Sequence, residues 1–387
     1  MRSKPRIAIL AHSTNPRGGV VHSLELGDAL TRLGHEVTVF APDPAGKGFF
    51  RDTVCRTVCV PASPVGKNVR EMVEIRVADY LRYFSQSDDR RFDVWHAQDG
   101  ISGNVLATLK ERGQIPAFAR TVHHIDSFDD TQLCALQLRS IRTADRRLVV
   151  SRLWKDYLAR ELALDAALVG NGVDTQRFSP EPNATDEALR ARLGLPATAA
   201  PIFLAVGGVE ERKNTIRLLQ AFLTLLPRHP TCRLVIAGGA SLLDHDAYQA
   251  RFAEVMAQGG AAADAAIITG PLPQDLMPAL YRAANTLVFP STREGFGLVV
   301  LEAMASGVSV VTSRIAPFTE YLGDDDVEWC DPFDAASIMN AMMRSLDSPR
   351  RERLIAHGRL VATRHSWDTT ARAHRTVYEA LREPVHA

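Results

Sequence analysis

Short apolar runs alternate with amphipathic stretches along this chain, and the alternation begins twice. The first series opens with "RIAILAH", a buried strand from Arg6 to His12. A polar loop carrying Gly18 and Gly19 follows. Then comes a helix in which Leu26, Leu30 and Leu33 recur at i, i+4 and i+7 and which Gly34 ends. "EVTVFAP", "FDVWHAQ", "AFARTVHHI" and "RRLVVS" continue the strands. The second series runs through "IFLAVGG", a helix from Asn214 to Leu226, "RLVIAGG", "AAIITG", a helix over "QDLMPALYRAA", "TLVFP" and "VSVVTS". Ile216, Leu219, Leu223 and Leu226 form one apolar stripe, and Pro227 stops that helix. Strand–helix alternation of this kind predicts parallel sheets covered on both faces. The fold class is therefore α/β, with two facing Rossmann-like domains and the cleft between them as the default ligand site. Residues 1–175 are read as the first domain and 201–365 as the second. The Pro-, Ala- and Thr-rich stretch 176–200 is read as a linker. The amphipathic tail 366–387 is expected to pack back towards the first domain.

Charge narrows the partners. Lys plus Arg equals Asp plus Glu, 45 each in 387 residues, so no global field favours a polyanion and nucleic acid is excluded as the main ligand. The five cysteines, Cys55, Cys59, Cys134, Cys232 and Cys330, are scattered and complete no zinc pattern. All are read as buried thiols, with Cys55 and Cys59 on one face of a strand. The apolar core of "MRSKPRIAILAHS" is too short for a signal peptide, and no apolar run approaches membrane-spanning length. A cytoplasmic protein is expected. "GKNVREMVEIRVADYLRYF" is read as a solvated amphipathic helix, which leaves peripheral contact with a membrane surface open.

The segment "STREGFGLVVLEAMASG" carries the chemistry. Strand "TLVFP" ends just before Ser291, Gly295 and Gly297 allow a tight turn, and a helix begins near Leu298. Such a joint leaves amides of the turn and first helical turn unpaired, an anion site strengthened by the helix dipole and suited to a diphosphate. Glu302 is placed to accept hydrogen bonds from ribose hydroxyls. Glu294, across the turn, is placed to reach the group attached to the diphosphate. The competing reading is a plain strand–turn–helix joint with Glu294 as a solvated loop acid.

This segment resembles the E-x7-E element of retaining glycosyltransferases of family 4, the "glycosyl transferases group 1", which have the two-domain GT-B fold. Further stretches match in order. "GGVVHSLELGDALTRLGHEV" is similar to the family's Gly-Gly loop and first helix. "DVWHAQD" and "RTVHHIDSF" resemble its strand ends, "VGNGVDTQRFSP" its Asn-Gly-Val-Asp element, and "AVGGVEERKN" its basic loop. The resemblance implies that Glu302 binds the ribose and Glu294 the sugar hydroxyls. It implies that amides of Gly295, Phe296, Gly297 and Leu298 hold the phosphates, that Gly18 and Gly19 close over them, and that Lys213 contacts a phosphate. His123 would face the donor sugar through its neutral ring or carbonyl. Leu272, in "TGPLPQD", would contact the base. His96, Asp99 and Asn171 are weaker candidates for the acceptor side, and His22 is read as exposed or capping. One departure stands out: relatives usually carry an arginine where this chain has Gly208, and Arg212 is the candidate replacement.

The implied function is transfer of a hexose-type sugar from a nucleotide-diphosphate donor, UDP favoured and GDP kept open by Asp275. The acceptor is a small metabolite, lipid or saccharide. A front-face retaining mechanism, in which a donor phosphate oxygen takes the acceptor's proton, needs no enzymic base. Neither cofactor nor metal is expected, since Lys213, Arg212 and the helix dipole would stabilise the leaving diphosphate. A nucleotide-sugar epimerase, a phosphorylase and a non-catalytic sugar-nucleotide-binding protein are the alternatives. A dinucleotide-dependent oxidoreductase fits poorly, because "NPRGGVVH" is not a G-x-G-x-x-G opening a helix directly after the strand.

Overall fold

The computed structural model describes residues 4–86, 91–196, 198, 200–239 and 246–383. The ends of the first-domain and tail assignments (1–3 and 384–387) and linker positions 197 and 199 lie outside the described residues. The chain divides into two compact units: the residues up to Asn171 together with those from Trp367 onward, and Gly172–Ser366.

In the first unit, β1 (Arg6–Leu10) leads through α1 (Gly18–Arg32) to β2 (Glu36–Asp43) and β3 (Arg56–Pro61). Then follow α2 (Val69–Gln86), β4 (Val94–Ala97), α3 (Gly100–Glu111), β5 (Ala119–Val122), α4 (Thr131–Arg142), β6 (Arg146–Val149), α5 (Arg152–Leu162) and β7 (Ala167–Leu168). The seven strands lie in the order β3-β2-β1-β4-β5-β6-β7, and every pairing is parallel. The second unit contains α6 (Thr185–Arg192), β8 (Ile202–Val206), α7 (Thr215–Leu225), β9 (Arg233–Ala237), α8 (Asp246–Gly259), β10 (Ala266–Gly270) and α9 (Met277–Ala283). β11 (Thr286–Phe289), α10 (Leu298–Ala305), β12 (Ser309–Ser313), β13 (Glu328–Cys330), α11 (Ala335–Arg344) and α12 (Ser348–Arg364) complete it. Its six-stranded sheet, β10-β9-β8-β11-β12-β13, is likewise all parallel. The last helix, α13 (Trp367–Arg382), packs along α1 in the first unit.

The strands are apolar on both faces because helices cover both. Residues Ile7 to Leu10 of β1 are wholly buried, as are Leu287 and Val288 of β11. Each sheet reverses its strand order once, between β1 and β4 in one unit and between β8 and β11 in the other. The crevice beyond the carboxyl ends of such strands is where this architecture takes ligands. The β1 and β2 ends are tied by Tyr80, whose hydroxyl lies 2.7 Å from the Ala11 carbonyl and 2.9 Å from that of Phe40. Arg51 anchors the loop after β2 onto α1, 2.9 Å from Asp28 and 3.0 Å from Glu25.

Several expectations change here. Gly18 and Gly19 are the first turn of α1 rather than a loop, because α1 starts at Gly18. The stretch 176–200 carries α6, which packs on α9 and is held by Asp186, 2.5 Å from Arg282. Of the five free thiols Cys59 is exposed and Cys134 half-buried, while Cys55 turns under α1 and Cys232 and Cys330 are buried. Among the described residues no helix is long and apolar enough to cross a membrane.

Candidate active site

At the order reversal of the second unit, β8 runs into Gly207 and Gly208, with φ of 129° and 75°. A 3-10 turn over Glu211–Lys213 follows. Asn214 closes it in the left-handed region at φ 60°, a conformation asparagine tolerates. Its side-chain amide fixes the bend by donating to the carbonyls of Pro290 (3.0 Å) and Pro332 (2.6 Å). The Thr292 amide donates to the Arg212 carbonyl at 2.9 Å, which joins this bend to the segment leaving β11.

These bends bring Lys213 and Glu294 together. Lys213 Nζ lies 2.6 Å from Glu294 Oε1 and 4.4 Å from the centre of the Phe289 ring. Arg212 reaches the same oxygen at 3.2 Å, and its Nε lies 3.2 Å from Glu210 Oε2. Burial alone would push the Glu294 carboxyl up, but the Lys213 and Arg212 charges outweigh it and hold it below its usual range. Burial lowers the Lys213 ammonium, with Glu294 opposing that fall. The pair is a buried ion pair, not a solvated loop acid. A Cβ on Gly207 would stand 2.8 Å from Lys213 Cε, so the bare glycine makes room for the lysine stem.

Gly208 explains the missing arginine. Its φ is left-handed, and a Cβ there would meet the Gly239 carbonyl oxygen at 2.8 Å. No side chain fits there, and the arginine that lies at this bend is Arg212, 3.2 Å from Glu294.

The helix α10 starts after Gly297, at φ 96° and ψ 60°. Its geometry leaves the Leu298 and Val299 amides without intrahelical acceptors, while the Val300 amide donates to the Gly297 carbonyl at 3.0 Å. Gly295 and Leu298 are half-buried and Phe296 is buried. Glu302, the fifth residue of α10, is half-buried and accepts from the buried Tyr281 hydroxyl at 2.6 Å. Leu272 is buried in the loop before α9, whose Gln274 carbonyl accepts from Arg177 at 2.8 Å.

The first unit is built differently at its own reversal. His123, just beyond β5, is half-buried; its Nε2 lies 2.9 Å from Gln98 Oε1, so it donates to that amide oxygen. Burial, reinforced by His22, Arg120 and other neighbours, holds His123 well below the usual imidazole range. A Cβ on Gly19 would touch the His123 ring at 3.6 Å, so the first turn of α1 and His123 are neighbours. His22 is fully buried, correcting its reading as exposed or capping. Its Nδ1 donates to Asn171 Oδ1 at 2.6 Å, and its ring meets His123 edge-on at 4.8 Å.

The acceptor-side candidates are otherwise engaged. His96 is wholly buried, with Nδ1 2.7 Å from the Tyr378 hydroxyl and Nε2 2.7 Å from Thr121 Oγ1, so it offers no free atom. Asn171 is buried by its bond to His22. Asp99 caps α3 by accepting from the Ser102 amide at 2.8 Å and lies 3.6 Å from His12. Burial pushes its carboxyl up, but His12 and Arg120 prevail and hold it low. Sequence reading missed Gln98, Glu210, Tyr281 and Tyr321. Only Gln98 carried a signal, its place at a strand end directly before Asp99.

Comparison with known proteins agrees in both halves. The family described as "Glycosyltransferase Family 4" matches residues 16–177, and "Glycosyl transferases group 1" matches 187–361. The D-inositol 3-phosphate glycosyltransferase of Xylanimonas cellulosilytica is 30% identical, over 97% of this chain and 96% of its own length. That of Acidothermus cellulolyticus is 29% identical over 98% and 91%. Among solved structures, sucrose-phosphate synthase from Thermosynechococcus elongatus superposes with a TM-score of 0.80 at 23% identity, covering 98% of this chain and 99% of that one. Anabaena HepE in complex with UDP and glucose superposes with a TM-score of 0.74 at 16% identity, covering 97% and 99%.

Proposed function

The chain belongs to the family 4 glycosyltransferases of GT-B type, and on that premise we propose that it transfers a hexose from a nucleotide-diphosphate donor with retention of configuration. UDP is the favoured nucleotide. The observation that carries this reading is the Glu294–Lys213 ion pair beside the first turn of α10, at the reversal between β8 and β11. Lys213, Arg212 and the helix-end amides put positive potential where a diphosphate leaves, and they need no reorganisation as charge develops. Glu294, held ionised, accepts hydrogen bonds from sugar hydroxyls; Glu302 accepts from the ribose. The assignments of Gly18, Gly19 and His123 to the donor, and of Leu272 to its base, belong to the same proposal.

As the sugar's anomeric bond to the diphosphate breaks and its bond to the acceptor oxygen forms, the departing phosphate oxygen takes the acceptor hydroxyl's proton, so no side chain acts as general base. The cations named above stand in for a metal, and turnover is expected to survive EDTA. The acceptor class we favour is a small hydroxylated, phosphorylated metabolite, the kind that the names of the relatives carry. Lipid and saccharide acceptors are the other arms of the test.

A thermal-shift panel of UDP, GDP and ADP tests the donor, and stabilisation by GDP alone would overturn the choice of UDP. Mass spectrometry of products from the matching sugar nucleotide with pooled acceptors tests transfer. Phosphate-dependent cleavage of an oligosaccharide in place of transfer would turn the assignment to a phosphorylase.

A further inference from the structure

We propose that Tyr321 is a positioning residue that aims the diphosphate-binding amides of Gly297 and Leu298; this deepens the reading above and rests on it. Tyr321 follows a 3-10 turn over Phe318–Glu320, outside the segment that holds Glu294 and Glu302. Its ring stacks on Phe296 at 4.7 Å between centroids, 2° from parallel. Its hydroxyl donates to the Phe296 carbonyl at 3.1 Å.

That bond orients an amide. In a trans peptide the carbonyl and the following N–H point in opposite directions. Holding the Phe296 oxygen toward Tyr321 therefore turns the Gly297 N–H away from it. The next peptide is held the same way: the Val300 amide donates to the Gly297 carbonyl at 3.0 Å, which turns the Leu298 N–H out of the helix start. A left-handed Gly297 followed by a helical Leu298 makes two successive N–H groups converge, the arrangement that binds anions. Phe318 closes the other side, its Cε1 2.6 Å from where a Cβ on Gly297 would stand.

The hydroxyl remains a donor throughout the working range. Burial, with the Glu294 and Glu320 charges, pushes the Tyr321 phenol well above its usual value. His365 braces the ring from behind at 5.4 Å, and the His365 carbonyl accepts from the Val173 amide at 2.8 Å. A packing role alone would need the ring but not the hydroxyl, and that distinction is open to experiment.

Calorimetry with UDP, GDP, ADP and the corresponding monophosphates, on wild type and on Tyr321→Phe, decides it. The variant keeps the ring and loses the hydroxyl. Diphosphate affinity is expected to fall about tenfold, the size of one hydrogen bond to an anion. Monophosphate affinity is expected to stay unchanged, and the melting temperature to fall by about 2–4 °C, the cost of one hydrogen bond. Tyr321→Ala removes the ring as well and should weaken diphosphate binding further. Unchanged diphosphate affinity in Tyr321→Phe, an equal fall for mono- and diphosphate, or a collapsed melting temperature in that variant would overturn the proposal. If wild type binds none of the three diphosphates, the donor-site reading itself fails.

Discussion

At the reversal between β8 and β11 the second unit buries charge: Glu294, Lys213 and, beside them, Arg212 share one carboxylate oxygen. At the reversal between β1 and β4 the first unit buries imidazoles instead, with His22, His96 and His374 wholly enclosed and His123 half so. Burial depresses His22 to about 4 and His374 to about 3, so neither carries charge near neutrality. Both solutions keep titratable groups out of water, but they suit different ligands. Lys213 and Arg212, balanced by Glu294 and Glu210, are cations that a diphosphate can share. Of these imidazoles only half-buried His123 can meet a ligand, and it offers direction without charge.

Removing the lysine is the strongest way to break this contrast. Lys213→Ala leaves Glu294 buried without its nearest counter-charge, with the half-exposed Arg212 remaining. Losing a preorganised cation at a leaving group costs about a thousandfold in kcat/KM. Stability is expected to fall by about 3 kcal/mol, because one member of a buried pair is left behind. Steady-state kinetics and urea unfolding check both. A variant with wild-type kcat/KM would mean the pair is structural and the site lies elsewhere.

Acid sharpens the other side. A histidine whose folded pKa is depressed binds a proton more readily when unfolded, so its stability contribution is complete above about 6.5 and drains away as pH falls toward its folded value. For His22, with a folded pKa of about 4, and His374, at about 3, the loss between pH 6.5 and 5 is roughly 2 kcal/mol each. The Nε2 atoms of both rings are buried without a hydrogen-bond partner, so a proton added there has no acceptor. Urea unfolding followed by Trp367 fluorescence, 5.4 Å from His22, should show the midpoint falling over that range. His374→Leu should flatten the fall. A midpoint that ignores pH would mean that water or a counter-charge reaches the cluster.

Much of the second site was readable in one dimension because it is local. Gly295, Gly297 and Glu302 sit in one strand–turn–helix, where glycine spacing and the onset of the apolar period place the amides directly. Lys213 lay 81 residues from Glu294, and only the resemblance joined them before the structure did. The first site was harder to read. His22 looked like one more polar residue on α1; what buries it is α13, which arrives through His374 and Trp367 from the far end of the chain. His96 failed as an acceptor candidate for the same reason, since its partner Tyr378 lies 282 residues away. Tyr321 gave no signal because its role depends on a carbonyl, and backbone direction leaves no trace in residue type.

The smallest expected effect concerns Arg212. The candidate replacement for the missing arginine has its side chain 45% exposed, so water and salt screen it where they do not screen Lys213. Arg212→Ala is therefore expected to lower kcat/KM about tenfold at low ionic strength and less at high salt, whereas the Lys213→Ala loss should hardly depend on salt. The pair of salt profiles is the informative measurement. A steep profile for arginine and a flat one for lysine would assign the screened, approach-steering role to Arg212 and the preorganised one to Lys213. Unchanged kinetics in Arg212→Ala would end its candidacy as the replacement for the missing arginine. Gly208 cannot be asked to resume that part, because its left-handed backbone and the Gly239 carbonyl leave a side chain no direction to grow. The bend that excludes the arginine also sets the chain that carries Lys213 past Gly207, so the departure at Gly208 and the buried ion pair are two consequences of one backbone turn.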